Sequence, residues 1–316
     1  MTTQHFFRKK TMKIGYLGLG NMGGALAARL QLTHHLHVYD LSSIALERMK
    51  ANGATVCSSS AELASLCDVI FLCLPTSDLV RQAIFGPEGL AASLNKGALI
   101  VDQTTGDPTA TRTMAKQIAA LGAELIDAPV SGGAKGAEAG TIAIMVGAGD
   151  DQFARIQPLL ASISPNIFHA GDVGAGQVIK LVNNLMSASY RLLAFEGLAL
   201  AHKNGIDPQR ACDILLAGGG RSQYVQKFLE PQVIKGNLHV GFTLGLMLKD
   251  VRLACKLGSD SGVPMFLGNQ VRELYQMCAN ENGFDAQVDT AALVIDRMAG
   301  THIVPEGVTL ESTNTK

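Results

Sequence analysis

Residues 14–30 read IGYLGLGNMGGALAARL: an apolar run of strand character, a glycine-rich turn, then small and apolar residues at helical spacing. Within this stretch Gly18, Gly20 and Gly23 stand at GxGxxG spacing. The first glycine suits a tight strand-to-helix turn, the second lets a ligand approach the backbone, and the third lets the helix pack closely on the strand. The helix then begins with N–H groups that have no partner of their own, a natural seat for a phosphate. Glycine turns also occur in chains that bind no nucleotide, so the surroundings must decide.

The surroundings supply a second strand, HLHVYD, which ends in Asp40. That is about 20 residues past the turn, where a dinucleotide-binding fold places its ribose-binding acid. Asp40 is therefore expected to hold the ribose hydroxyls, with capping of the next helix as its competing role. A carboxylate there repels a 2′-phosphate, and Leu41, Ser42 and Ser43 offer no arginine to attract one. NAD is accordingly favoured, with NADP as the second candidate. Gly18, Leu19, Gly20, Asn21, Met22, Gly23 and Asp40 form the expected cofactor-binding set.

From residue 12 to residue 174 short apolar runs alternate with helical patterns: KIGYLGL, HLHVYD, DVIFLCLP, ALIVDQT, AELIDAPV, TIAIMVG and NIFHAG. This alternation predicts an α/β Rossmann-like domain with a mostly parallel, doubly wound sheet. Crossover segments such as TSDLVRQAIFG and DPTATRTMAKQIAALG carry helix-start residues and a closing glycine. From residue 175 to residue 300 strand signals cease. Long apolar-periodic segments follow, the first running from Gln177 past Ala201 without a proline. An all-α second domain for substrate binding and oligomerisation is expected there. Residues 1–11 and 301–316 read as flexible tails.

Composition narrows the partners. At 316 residues with a net charge of −1, the chain has room for two cores and no electrostatic reason to bind nucleic acid or an anionic membrane. No apolar run is long enough to cross a bilayer, and MTTQHFFRKKTM lacks the apolar core of a secretion signal. Six cysteines without CxxC pairs suit buried free thiols in a reducing cytoplasm. His34, His35 and His37 cluster without convergent carboxylates, so no metal site is expected.

Three further segments carry chemistry. In DAPVSGG, Ser131 offers a hydroxyl, and Gly132 and Gly133 offer unobstructed N–H groups that suit a carboxylate, or simply make a turn. In GAGQVIKLVNN, Lys180 and Asn184 are four residues apart on the long helix and share a face. That helix starts where the nucleotide domain ends, beside the crevice at the strands' carboxyl ends. In LMLKDVRLA, Lys249 and Asp250 interrupt an apolar helix. A lysine so placed usually reaches to water.

Taken in order, GLGNMG, DAPVSGG, GAGQxxKxxNN and LMxKD resemble the β-hydroxyacid dehydrogenase family over nearly the whole chain. The resemblance implies an NAD(P)-dependent oxidoreductase interconverting a small β-hydroxy acid and its semialdehyde. By that resemblance Lys180 occupies the catalytic lysine position, and Ser131, Gly132, Gly133 and Asn184 the substrate-binding positions. Lys249 falls where the family contacts the cofactor, Leu74 and Pro75 match its LP turn, and Thr105 matches the threonine of its D-x-S-T-x-x-P segment. Thr104 stands where the family usually has serine. GGGRSQYV, residues 218–225, lacks the tryptophan that some members place in the pocket wall, and the chain has none at all.

A lysine with an ordinary pKa of about 10.4 is a poor base near neutrality, so the role demands a buried amine. Two rival readings stay open at this level: a decarboxylating enzyme like 6-phosphogluconate dehydrogenase, and a non-catalytic dinucleotide sensor. The resemblance further implies a homodimer or homotetramer.

Overall fold

A computed structural model describes residues 12–310; residues 1–11 and 311–316, which hold the expected N-terminal tail and the end of the expected C-terminal one, lie outside them. The chain divides into two compact units between Lys180 and Leu181.

The first unit is built on strands β1 (Ile14–Leu17), β2 (Leu36–Tyr39), β3 (Thr55–Val56), β4 (Val69–Leu72), β5 (Leu99–Asp102), β6 (Glu124–Asp127), β7 (Val130–Ser131), β8 (Ala143–Gly147) and β9 (Ile167–Gly171). They form one sheet in the order β3-β2-β1-β4-β5-β6-β8-β7, with β9 paired to β8. From β3 through β6 every pairing is parallel, whereas β8 runs antiparallel to both β6 and β7. The order reverses between β1 and β4, so the carboxyl ends of these two strands flank the topological switch point where such sheets bind ligands.

Side-chain alternation sends neighbouring residues of each strand to opposite cores. Along β4, Val69 and Phe71 join one core while Ile70 and Leu72 join the other. The first core is covered by α1 (Asn21–Gln31), α2 (Ser43–Ala51), α6 (Gly133–Glu138) and α7 (Asp150–Leu160), through Leu26, Met49, Ala137 and Ile156. The second is covered by α3 (Ser60–Leu66), α4 (Ser77–Phe85) and α5 (Pro108–Ala120), through Leu63, Ile84 and Met114. Each fully buried large aliphatic side chain contributes roughly 1.5–3 kcal/mol. The crossover helices start where their caps dictate. Thr76 Oγ1 accepts the Leu79 N–H at the start of α4, and Asp107 Oδ1 accepts the Thr109 N–H ahead of Pro108 in α5. β3 and β7 were not among the expected strands; at two residues each they are too short to carry a period of two.

The helix α8 (Ala175–Lys203) spans 29 residues and passes through the division between the units. In the second unit it is joined by α9 (Pro208–Ala217), α10 (Leu244–Asp260), α11 (Phe266–Asn282) and α12 (Ala291–Ala299). Phe195, Leu198, Cys212, Leu248, Val251, Tyr275 and Val294 lie in a single core. A π-helical turn, Val225–Leu229, adds Val225 and Leu229 to it.

One expectation fails here. The segment expected to start a flexible tail at Thr301 is instead packed into that core, with Ile303 and Val304 no more than 2% exposed. Asp296 organises it by accepting the Thr301 hydroxyl at 2.7 Å and the N–H groups of Ile303 and Val304 at 2.8 and 3.0 Å. The segment reads as a tail in the sequence because the acceptor of its donors belongs to the preceding helix. None of the six cysteines, all among the described residues, is in a disulfide, and burial pushes the Cys57 thiol up to about 11 and the Cys67 thiol up to about 12, as for structural rather than nucleophilic thiols.

Candidate active site

The glycine turn assigns three different jobs to its three glycines. Gly18 has φ +91°, and a Cβ there would lie 2.3 Å from the Cys73 carbonyl oxygen. A Cβ on Gly23 would lie 2.0 Å from the Gly18 carbonyl oxygen, so that glycine is what lets α1 close on the turn. A Cβ on Gly20 would meet no protein atom within 4 Å. Nothing inside the protein requires a glycine at that position, which fits close approach of a bound pyrophosphate. Gly20 is also the N-cap of α1 and supplies no side-chain cap, leaving the turn at Asn21 and Met22 suited to an anion. The residues present therefore fit a dinucleotide.

Asp40 follows β2 and closes on this turn. Its Oδ2 accepts the Leu19 N–H at 2.5 Å and its Oδ1 accepts the Ser42 N–H at 2.7 Å. The cap of α2 is Ser42, whose Oγ accepts the Ala45 N–H at 3.3 Å, so the competing role suggested for Asp40 falls to its neighbour. Each Asp40 oxygen retains a second lone pair, and the residue is part-exposed.

Leu74 and Pro75 follow β4, and the Leu74 N–H donates to Thr104 Oγ1 at 3.0 Å. Thr104, 1% exposed, in turn donates its N–H to Asp102 Oδ1 at 3.0 Å. The position where threonine replaces the family's serine thus uses only the hydroxyl that the two residues share. Thr105 lies next to it, half-buried. Ser131 ends β7 and is half-buried, while Gly132 and Gly133 are exposed with φ of +142° and +70°. A Cβ on Gly133 would meet nothing within 4 Å.

The start of α8 is tied to the sheet by a carboxylate. Asp127, at the end of β6 and fully buried, accepts the Gly174 N–H at 2.5 Å and the Gln177 N–H at 2.8 Å. Burial pushes its carboxyl up to about 6 against the pull of those two donors. Gly174 has φ +92°, and a Cβ on Gly176 would lie 2.3 Å from the Met145 carbonyl oxygen, which accounts for both glycines of GAGQ. Lys180 and Asn184 follow on the same helix, each 8% exposed.

In the second unit Asn184 Nδ2 donates to Asp250 Oδ2 at 2.5 Å, and Asn184 Oδ1 accepts from Asn183 Nδ2 at 3.0 Å. Lys249 Nζ stands 3.1 Å from Asp250 Oδ1. Asp250, 1% exposed, therefore orients the amide and neutralises the cation together. With its oxygen and one amide hydrogen engaged, Asn184 has a second amide hydrogen with which to donate. Asp127, Gln177 and Asp250 were not among the expected site residues. Their signal was faint: an acid at a strand end, and an acid inside an apolar helix pattern.

His34 bonds Ser162 Oγ at 3.0 Å and His35 bonds Thr55 Oγ1 at 2.9 Å. Among the described residues no three His, Cys, Asp or Glu side chains converge as a metal-ligand set, and no helix is long and apolar enough to cross a membrane.

Residues 13–171 match the family model for the NAD binding domain of 6-phosphogluconate dehydrogenase. Residues 174–295 match the one for the NAD-binding region of NADP-dependent 3-hydroxyisobutyrate dehydrogenase. The chain is 37% identical to 2-(hydroxymethyl)glutarate dehydrogenase of Eubacterium barkeri over 85% of its own length and 89% of that protein. It is 35% identical to 2-hydroxy-3-oxopropionate reductase of Escherichia coli, over 90% and 96% of the two chains. Among solved structures, 3-hydroxyisobutyrate dehydrogenase of Mycobacterium tuberculosis with L-serine superposes with a TM-score of 0.80 at 29% identity, covering 90% of this chain and 99% of that one. A glycine turn fitted to a dinucleotide, a helical second unit and relatives matched over nearly their whole length agree: the chain belongs to the β-hydroxyacid dehydrogenase family of NAD(P)-dependent oxidoreductases.

Proposed function

We propose that the protein interconverts a small β-hydroxy acid and its semialdehyde with NAD as the preferred cofactor, and that Lys180 is the general acid/base. The observation that carries this reading is an amine and an amide, Lys180 and Asn184, buried one turn apart on the same helix. Buried lysines are rare unless they have a task or a partner. Bound nicotinamide would supply the hydride acceptor for oxidation and the hydride donor for reduction. The chain does the rest. In oxidation Lys180 Nζ takes the hydroxyl proton as the C–O bond becomes a carbonyl, and in reduction it returns that proton. Ser131 Oγ and the N–H groups of Gly132 and Gly133 hold the substrate carboxylate, and Asn184 donates its remaining amide hydrogen to the substrate. Gly18, Leu19, Gly20, Asn21, Met22 and Gly23 cradle the pyrophosphate. Leu74, Pro75, Thr105 and Lys249 border the cofactor, and Asp40 selects NAD by repelling a 2′-phosphate.

The protein is proposed to act in the cytoplasm as a homodimer or homotetramer. Support for self-association comes from α8, where Val182, Met186, Tyr190, Leu193 and Leu200, all over 40% exposed, make an apolar stripe at heptad-like spacing that only Glu196 interrupts with a charge. A monomer mass by light scattering contradicts this.

The test is Lys180→Ala, assayed with a panel of L-serine, 3-hydroxyisobutyrate, 3-hydroxypropionate, glycerate and tartronate semialdehyde, each with NAD(H) and NADP(H). The variant is expected to lose about 100-fold or more in turnover while still binding NADH, the scale of a lost general acid/base. Near-normal turnover removes Lys180 from the reaction.

A further inference from the structure

We infer that Gln177 is a positioning residue: it locks the turn of α8 that carries Lys180 to the loop after β5, and so sets where the Lys180 amine stands. This rests on the reading of Lys180 as the proton-transfer group.

Gln177 is fully buried three residues before Lys180. Its side-chain amide is spent entirely on one loop: Oε1 accepts the Gly106 N–H at 2.8 Å and Nε2 donates to the Thr104 carbonyl at 2.7 Å. Its own N–H is held by Asp127. The turn is thus gripped through its backbone from β6 and through its side chain from the loop after β5. That loop is also held from α4, since the Asp107 N–H donates to Ser77 Oγ at 2.9 Å, and a Cβ on Gly106 would lie 2.3 Å from the same oxygen. The same loop places Thr104 Oγ1 against the Leu74 N–H, so one amide joins the lysine-bearing turn to both loops assigned to the cofactor.

The physical argument concerns the lysine. Its ammonium rides on a flexible four-carbon stem with no fork to define a direction, so the backbone turn beneath it must supply the direction. A displacement of about 1 Å at a reacting group can cost about 100-fold in rate. A residue serving stability alone has no need to place both its bonds on the loop that carries the cofactor contacts.

Two measurements on the full-length protein test this. Gln177→Met keeps the volume and loses both side-chain bonds; if it does not fold, Gln177→Glu keeps the Gly106 bond and serves the same comparison. First, competitive acetylation read by peptide mass spectrometry should change at Lys180 by about 5-fold or more, with Lys249 and NADH affinity each within about 2-fold of wild type. Second, using the panel compound that wild type turns over fastest, the substitution should lower kcat by about 10- to 100-fold in the wild-type background and less than about 2-fold in Lys180→Ala. Unchanged acetylation of Lys180, or equal kcat losses in both backgrounds, overturns the inference while leaving an inactive Lys180→Ala to uphold the acid–base role. A Lys180→Ala enzyme of near-normal turnover overturns that role itself, and with it this inference.

Discussion

The second unit is built around a buried ion pair whose removal should be expensive in one way and cheap in another. Arg191 on α8 is 5% exposed and Asp289 fully buried, with Arg191 Nε 2.5 Å from Asp289 Oδ1. Tyr224 donates its hydroxyl to the same oxygen at 2.9 Å, and the Arg191 guanidinium lies 4.6 Å from the Tyr224 ring centre. Burial disfavours the Arg191 cation, but the charge of Asp289, with Tyr224 and Tyr275 beside it, more than offsets this and leaves the guanidinium pKa raised. Charge centres about 4 Å apart attract by about 4 kcal/mol at an effective dielectric of 20. Arg191→Met strands a carboxylate with one tyrosine donor, and Asp289→Leu strands a guanidinium over a ring. Each is expected to cost about 3–5 kcal/mol.

The double variant replaces both charges with apolar volume and leaves only the Tyr224 hydroxyl short of an acceptor, at about 1–3 kcal/mol. The pair should therefore be strongly non-additive. Urea unfolding is the assay, with hydrogen exchange of peptides around Phe195, Leu248 and Tyr275 assigning the transition to this unit. Single variants that each cost under about 1 kcal/mol, or a double variant equal to their sum, would show that the pair is water-exposed in solution and that the burial argument is wrong.

Two further outcomes follow from the geometry. Gly23→Ala must push against the Gly18 carbonyl and is expected to destabilise the first unit, whereas Gly20→Ala meets nothing and should unfold with the wild-type urea midpoint yet bind NADH at least about 10-fold more weakly; equal stability losses in both would refute the assignment of Gly20 to the ligand. Asp127 has a folded pKa of about 6 against about 3.9 unfolded, so between those values the folded chain holds a proton that the unfolded chain has released. Stability from this group is highest below about pH 4 and falls as pH rises through about 6, by an amount on the order of 3 kcal/mol. The difference in urea midpoint between pH 4.5 and 7 should be smaller in Asp127→Asn than in wild type, and an unchanged difference removes Asp127 as its source.

The expected features that appear in the fold share a physical character: they are local. Gly18, Gly20 and Gly23 act within six residues, and the period of Val69, Ile70, Phe71 and Leu72 is set by the pleat of one strand. The long helix from Ala175 to Lys203 is legible because about thirty residues without a proline leave few alternatives. The features not read are those in which one partner is distant. Gln177 finds Gly106 and Thr104 more than 70 residues away, Asn184 finds Asp250 at a separation of 66, and Asp289 is needed because Arg191 is buried 98 residues earlier. Residues 301–304 read as a tail for a related reason, since the Thr301 hydroxyl and the backbone N–H groups of Ile303 and Val304 find their acceptor, Asp296, only in the fold.

By itself, then, the sequence determined a nucleotide-binding α/β unit followed by helices, and it put forward Asp40, Ser131, Lys180 and Asn184 as the candidates for its chemistry. Glycine conformations, strand alternation and helix caps depend on neighbours along the chain. Tertiary structure decided that Asp40 turns to the Leu19 N–H while Ser42 caps α2, what turns the Asn184 amide, and what grips the turn beneath Lys180. Those outcomes depend on buried donors and acceptors satisfying one another across the fold, because an unpaired polar group in a dry interior is too costly to keep, and no window along the chain contains both partners.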